Sequence, residues 1–94
     1  MIISGGENVS PLVVEAVLEQ HPAVAEAAVH GRADEQWGQA VVATIVASPG
    51  ARPDEADVLS FCRERLAPWE VPKALHVARE LPRTASGKLL RRAL

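Results

Sequence analysis

Lys88 is the residue best suited to chemistry in this sequence of 94 residues. It follows a stretch in which Pro82 fixes the entry and Thr84, Ser86 and Gly87 favour a flexible turn. Gly87 adds no side-chain bulk, so the lysine can extend into a cleft. An ammonium group is a compact charge with three donors, which suits a phosphate or a carboxylate. The alternative is a solvated basic C-terminus, and the spacing excludes a Walker A loop.

Two other features could contact a ligand or simply support the fold. Gly5 and Gly6 permit close approach of the backbone to a ligand, or they form an ordinary turn before a helix. Trp37 lies beside Gly38 in a polar segment. A tryptophan there is either an interface anchor or a cover for the edge of a sheet.

The histidines and the cysteine predict neither a metal site nor a disulfide. His21, His30 and His76 lack the spacing of metal ligands, and His21 is expected to cap or pack against a helix end. The single Cys62 falls on an apolar helix face, so we expect it in the core. One cysteine fits a reducing compartment, and we expect a cytoplasmic protein. No apolar run approaches the ~20 residues of a membrane span, and the start is unlike a signal peptide.

Charge is distributed unevenly along the chain, although the net charge is only -2. Residues 1–47 contain one basic and six acidic residues, whereas residues 48–94 contain nine basic and six acidic residues. This asymmetry indicates an anionic ligand at one end of the domain. It argues against nucleic-acid binding, which requires a basic face across the whole domain.

Local patterns predict the elements that must position these residues, and together they indicate an α+β domain. We expect a small mixed sheet of about three strands, with a short hairpin as an addition, and helices packed around it. The predicted elements are a glycine-rich loop at 4–8, a helix from Ser10-Pro11 to Pro22, strands at 24–30 and 41–46 with a loop at 31–38 between them, a helix from Asp54 to about Leu66, an extended segment at 67–72, a strand at 75–78, a loop at 81–87 and a helix at 88–94.

Taken together, these motifs resemble the adenylate-forming acyl-CoA ligases, also called AMP-binding enzymes. Residues 3–11 look like the motif that follows the hinge of that family, residues 34–38 resemble its D-x-x-W-G loop, and residues 82–92 resemble its terminal P-x-x-x-x-G-K motif. The resemblance covers essentially the whole chain and is to the small mobile C-terminal lid. The family's hinge residue would precede Met1, so we expect residues 1–94 to be one lid domain whose large N-terminal domain is absent.

The resemblance implies the activity of an acyl- or aryl-CoA ligase. In that family a carboxylic acid attacks ATP to give an acyl-adenylate and pyrophosphate. The lid then rotates, and the thiol of coenzyme A displaces AMP. ATP or AMP, coenzyme A and the Mg²⁺ that accompanies ATP would serve the complete enzyme. We expect this domain to bind no Mg²⁺, to hold no cofactor in isolation and to be inactive without its partner domain.

Site residues carry over from the matching motifs. Lys88 matches the lysine that holds the carboxylate and phosphate oxygens during adenylation, which is stabilisation by a preplaced donor. Gly5 and Gly6 match the loop that lines the tunnel for the pantetheine arm of coenzyme A, where the absence of side chains would let a narrow arm pass. Glu7 matches a loop residue near that tunnel.

Three further residues match positions that contact coenzyme A. Trp37 resembles a residue that packs on its pantetheine or nucleotide end. Trp69 and Lys73 resemble a segment that contacts the nucleotide in some aryl-CoA ligases. In those enzymes a second cation often follows the aromatic residue by two positions, where this sequence has Val71.

Other functions remain open from the sequence. The chain could be a lid that docks on another protein without catalysis, or part of the adenylation domain of a peptide synthetase. The Gly-Gly-Glu-Asn-Val stretch favours a CoA ligase. The pocket for the acid would lie in the large domain, so this sequence does not identify the acid. The options are a fatty acid, a benzoate-type acid or o-succinylbenzoate.

Overall fold

The computed structural model describes residues 1–89 as an α+β domain in which two helices pack on a mixed sheet. No helix in this range is long and apolar enough to cross a membrane. The strands are β1 (Ile2–Ser4), β2 (Glu7–Val9), β3 (Val24–Asp34), β4 (Gly38–Ala47) and β5 (Ala74–Ala78); the α-helices are α1 (Pro11–Glu19) and α2 (Glu55–Arg63), and a 3-10 helix spans Pro68–Glu70.

The sheet is organised around β4, the β-branched strand. Along one edge β4 pairs antiparallel with β3, from Val24 opposite Ala47 to Asp34 opposite Gly38. Along the other edge it pairs parallel with β5 and, at Gly38, antiparallel with Ser4 of β1, which in turn pairs with β2. The predicted fold is therefore confirmed, since β3, β4 and β5 are the three strands and β1–β2 is the additional hairpin.

Both helices start where the sequence predicts. Ser10 is the N-cap of α1, although its side chain makes no capping hydrogen bond, and Pro11 is the first helical residue. Asp54 caps α2 by accepting a hydrogen bond from the Asp57 amide at 3.0 Å. The apolar faces of α1 and α2 join alternate residues of β3 and β4 in one core, whose fully buried side chains include Val14, Leu18, Val29, Val41, Ile45, Val58 and Cys62.

Cys62 lies in the core, as predicted. Burial raises the pKa of its thiol, although the neighbouring Arg65 and Arg63 act in the opposite direction. The protonated thiol is the unreactive form, so this cysteine behaves as a packing residue.

His21 joins the two helices at their contact. Its Nδ1 atom accepts a hydrogen bond from the Ala23 amide at 3.0 Å, so the ring proton is on Nε2, which lies 2.8 Å from Asp57 Oδ2. The ring also meets Phe61 edge-on with centroids 5.0 Å apart. Of the two roles expected for His21, capping or packing at the helix end, packing is confirmed, and its ring bonds to Ala23 and Asp57 instead of to a carbonyl of α1.

Three local predictions are wrong. The segment at 67–72 is not extended throughout, because Pro68–Glu70 form a 3-10 helix in which the Glu70 amide donates to the Ala67 carbonyl at 2.9 Å. Residues 31–34 continue β3 instead of starting a loop, because their backbone pairs with residues 38–41 of β4. Lys88 does not begin a helix, since Leu89 forms an antiparallel bridge with Arg83. The remainder of the predicted terminal helix, residues 90–94, lies outside the described residues.

Candidate functional site

The turn between β3 and β4 presents Trp37. Asp34 Oδ1 accepts hydrogen bonds from the amides of Gln36 and Trp37, both at 2.9 Å. An aspartate that binds amides two and three residues ahead stabilises a tight turn. The indole that follows is 40% exposed. This explains physically why an aspartate precedes the tryptophan by three positions.

The β1–β2 hairpin lies against that tryptophan. Gly5 and Gly6 form its two-residue turn with φ of +59° and +83°, the conformation that favours two glycines. The Gly5 amide donates a hydrogen bond to the Trp37 carbonyl at 2.9 Å. A Cβ atom on Gly5 would lie 3.2 Å from Cε3 of the indole, whereas a Cβ on Gly6 would meet nothing within 4 Å. Gly5 therefore permits close contact with Trp37, and Gly6 serves the turn.

The segment after α2 supplies Trp69 and Lys73. The Ala67 amide donates to Glu70 Oε1 at 2.8 Å, which closes the 3-10 helix and leaves Trp69 42% exposed. The Lys73 amide donates to the Val41 carbonyl of β4 at 2.8 Å. Its ammonium lies 4.9 Å from the centroid of the Trp37 ring, within the range of a cation–π interaction.

These segments line an open cavity of about 410 Å³. Its lining comprises five residues that the sequence analysis assigned to coenzyme A and one proline: Gly5, Glu7, Trp37, Trp69, Lys73 and Pro68. Gly6 and Lys88 are not in this lining. The fold thus brings together predicted residues that are up to 68 positions apart in sequence.

A second cavity, of about 390 Å³, adjoins the first and shares Pro68 and Lys73 with it. Its lining includes Arg63, an exposed cation at the end of α2 that forms no ion pair with any residue in the range 1–89. Two cations, Arg63 and Lys73, therefore line the second cavity, whereas the first has Lys73 together with two aromatic rings, a glycine and the carboxylate of Glu7. Arg63 could not be predicted as a site residue from the sequence, because a lone arginine on a polar helix face has no distinctive local pattern.

Lys88 lies on a separate loop. Its amide donates to Thr84 Oγ1 at 3.0 Å, and its carbonyl accepts from the Thr84 amide at 2.7 Å. Arg83 connects the loop to the sheet through an ion pair with Glu26 of β3. The side chain of Lys88 is exposed and makes no hydrogen bond or ion pair within the described part of the chain.

The first cavity and the Lys88 loop lie at opposite ends of the sheet. The cavity adjoins the start of β4 at Gly38, whereas the loop is attached to Glu26, which is opposite Val46. Gly38 and Val46 are eight residues apart on β4, which at about 3.4 Å per residue is roughly 27 Å. One small reacting group therefore cannot contact both the first cavity and the Lys88 loop in a single orientation of the domain.

Comparisons with known proteins agree on one family. A family model described as the AMP-binding enzyme C-terminal domain matches residues 13–88. A 2-succinylbenzoate–CoA ligase from Geobacillus kaustophilus is 55% identical over 94 residues, which is 100% of this chain and 19% of that protein. The chain therefore spans about a fifth of the length of the curated relatives it matches.

Two solved structures of o-succinylbenzoate CoA synthetase from Bacillus subtilis are similar, both at 47% identity. A double mutant bound with its product analogue has a TM-score of 0.94, with 99% of this chain and 19% of that chain covered. The complex with the acyl-adenylate intermediate has a TM-score of 0.88, with 96% of this chain and 18% of that chain covered.

Proposed function

The chain belongs to the family of AMP-binding enzyme C-terminal domains, and on that premise we propose that it serves an ATP-dependent CoA ligase for an aromatic or aliphatic carboxylic acid. The complete reaction has two steps. The carboxylate attacks the α-phosphate of ATP, releasing pyrophosphate, and the thiol of coenzyme A then attacks the acyl-adenylate and releases AMP. This domain supplies groups to both steps, and a large N-terminal domain supplies the acid pocket and most of the ATP site.

The observation that carries this proposal is the cavity between the β1–β2 hairpin and the 3-10 helix. It is lined by a glycine, two half-exposed indoles, a lysine, a proline and Glu7. A pantetheine arm is narrow and alternates methylene groups with amides, so it suits the cavity that Trp37, Trp69 and the backbone of Gly5 line together. Aromatic faces provide such an arm with a large contact area at low entropic cost.

The second cavity suits the phosphates of the same ligand. Arg63 and Lys73 are both exposed, and neither has a carboxylate partner in the described range. An arginine can bind a phosphate bidentately, and a lysine adds a mobile point charge. Lys73 would leave the Trp37 ring to bind the phosphate, which also uncovers the indole for the arm. In this arrangement Arg63 supplies the second cation that the resemblance to aryl-CoA ligases would place at Val71.

Lys88 would act in the first step. As the carboxylate attacks the α-phosphate, negative charge builds on the phosphate oxygens. An ammonium placed beside them stabilises that charge more in the transition state than in the ground state, which lowers the barrier. Mg²⁺ would arrive with ATP, since Mg²⁺ is commonly bound through the phosphates of the nucleotide substrate.

The substrate that we propose is 2-succinylbenzoate. This acid is named in curated relatives that are 55% and 54% identical to the chain. The single cysteine favours a cytoplasmic enzyme, as argued from the sequence.

A chimeric ligase tests the proposal. The C-terminal 19% of the Geobacillus kaustophilus ligase would be replaced by this chain, and ATP–pyrophosphate exchange and thioester formation would be measured with 2-succinylbenzoate. We expect both activities in the chimera and neither at a comparable rate in the truncated body alone. A folded chimera that is no faster than the body in either step would refute the ligase function and favour a docking module without catalysis. Exchange without thioester formation would instead favour an adenylation domain of the peptide-synthetase type.

A further inference from the structure

The loop that carries Lys88 is closed by its own backbone. The Thr84 amide donates to the Lys88 carbonyl at 2.7 Å, and the Lys88 amide donates to Thr84 Oγ1 at 3.0 Å. The Gly87 amide donates to the Thr84 carbonyl at 2.9 Å, as in a β-turn. These bonds fix the shape of the loop, but they do not fix its orientation relative to the sheet.

Arg83 supplies that orientation. Its Nη1 atom donates to the carbonyl of Gly87, the residue before Lys88, at 3.2 Å. Its Nη2 atom pairs with the carboxylate of Glu26 on β3, 57 positions away in sequence. One planar guanidinium therefore connects the lysine loop to the edge strand of the sheet.

We propose that Arg83 and Glu26 are positioning residues that hold the Lys88 loop on the sheet in the orientation required for adenylation. The proposal rests on the proposed function, because it assumes that Lys88 acts on the carboxylate and the phosphate. Neither Arg83 nor Glu26 belongs to the lining of the two cavities, so their role is separate from the binding of coenzyme A.

The negative charge of Glu26 excludes a direct role in binding the substrate phosphate. A carboxylate near the reacting phosphate would repel it, so Glu26 cannot act as an anion contact. If Arg83 bound the phosphate directly, neutralising Glu26 would free the guanidinium and leave adenylation unchanged or faster. If Arg83 positions the loop, the same change must slow adenylation. Glu26→Gln is therefore the diagnostic variant.

The effect on rate should far exceed the effect on stability. Both side chains are about 40% exposed, and ion pairs of that kind contribute little to folding. In contrast, a misplacement of about 1 Å at a reacting centre can cost about 100-fold in rate. An ion pair with only a structural role would not slow the reaction far more than it destabilises the fold.

The test uses the chimeric ligase with Glu26→Gln, Arg83→Gln and the double variant. Glu80→Gln and Arg79→Gln, which alter exposed residues nearby in sequence, are the matched controls. We expect kcat for ATP–pyrophosphate exchange to fall about tenfold or more in each single variant, with little change in the KM for ATP. The double variant should be no worse than the singles, because the pair acts as one unit. Thioester formation from supplied acyl-adenylate should be unchanged.

Two kinetic outcomes would overturn the inference. One is exchange by Glu26→Gln within about twofold of wild type. The other is an equal loss of both half-reactions, which would indicate general disruption of the domain.

A measurement on the 94-residue chain alone separates the positioning role of Arg83 and Glu26 from the proposed ligase function. Hydrogen exchange at the Thr84 and Lys88 amides should accelerate about tenfold in Glu26→Gln, while the thermal midpoint falls by no more than about 4 °C. Unchanged protection of these amides would refute the positioning role. A wild-type chimera without exchange activity would refute the proposed function alone, because the amide measurement does not depend on it.

Discussion

Gly5 and Gly6 occupy one turn, yet a side chain at each would have a different consequence. Both have positive φ, so a Cβ at either position costs about 1 kcal/mol in backbone strain. Only at Gly5 would the Cβ also crowd the Trp37 indole, 3.2 Å away. The pair therefore separates the stability of the turn from the geometry of the cavity.

We predict that Gly5→Ala raises the KM for coenzyme A roughly tenfold, whereas Gly6→Ala changes it by less than about twofold. In Gly5→Ala the displaced indole narrows the first cavity, whereas Gly6→Ala only strains the turn. The measurement is thioester formation by the chimera from supplied acyl-adenylate at varied concentrations of coenzyme A. Equal changes in KM would show that the contact between Gly5 and Trp37 does not shape the site.

Sequence motifs predicted the cavity residues better than the contacts that hold them. Trp37, Trp69 and Lys73 each lie in a local motif that the family resemblance could match. Arg83 and Glu26 could not be paired in advance, because their contact depends on how the chain folds across 57 positions. A role that depends on a long-range contact cannot be predicted from a local sequence motif.

At the scale of elements, the outer edge of β3 is covered by carboxylates from α1. Among the strands of residues 1–89, β3 lies at one end of the sheet order, and an edge of this kind is commonly covered by other groups of the chain. Glu15 Oε2 accepts a hydrogen bond from the Val29 amide at 2.8 Å, and Glu19 Oε2 accepts one from the Ala27 amide at 3.1 Å. Glu15 is buried and Glu19 is exposed, so removal of the two side chains should have unequal effects.

We predict that Glu15→Ala lowers the free energy of unfolding by about 1–3 kcal/mol, because a buried amide loses its acceptor. Glu19→Ala should cost less than about 1 kcal/mol, since water can replace the exposed carboxylate. Urea denaturation of the two variants and the wild-type chain measures both values. A cost for Glu19→Ala equal to or above that of Glu15→Ala would contradict this account of the edge.

The length of β3 shows where local propensity misleads. Gly31 and Asp34 are poor strand formers, so the pattern predicted a loop from residue 31. In the structure the chain turns only at residues 35–37, because β4 supplies hydrogen-bond partners as far as Gly38. Conversely, the β-branched run of β4 and the cap of α2 at Asp54 were predicted correctly, since propensity and packing agree there.

At the scale of the whole molecule, protonation couples to folding through His30 on β3. Burial lowers the pKa of His30, with smaller effects from the positive charges of Arg32 and His76. A histidine with a lowered pKa favours the folded state when it is neutral. Its contribution is therefore complete above the unfolded pKa of about 6.5 and is lost as the pH falls toward the folded value.

We predict that the wild-type chain becomes less stable between pH 7.5 and pH 5, and that His30→Gln weakens this dependence. The glutamine keeps a polar side chain but binds no proton in either state. Urea midpoints at the two pH values for both proteins provide the measurement. An identical pH dependence in the variant would remove His30 as a cause.

The most direct test of the account is whether the two ends of the sheet serve different half-reactions. Lys88→Ala and Trp37→Ala would each be made in the chimeric ligase, and each half-reaction would be assayed separately. We predict that Lys88→Ala slows ATP–pyrophosphate exchange about 100-fold or more while thioester formation from supplied acyl-adenylate stays within about threefold of wild type. Trp37→Ala should impair thioester formation and spare exchange. If both variants reduced both half-reactions to the same extent, the assignment of the two ends to separate steps would be contradicted.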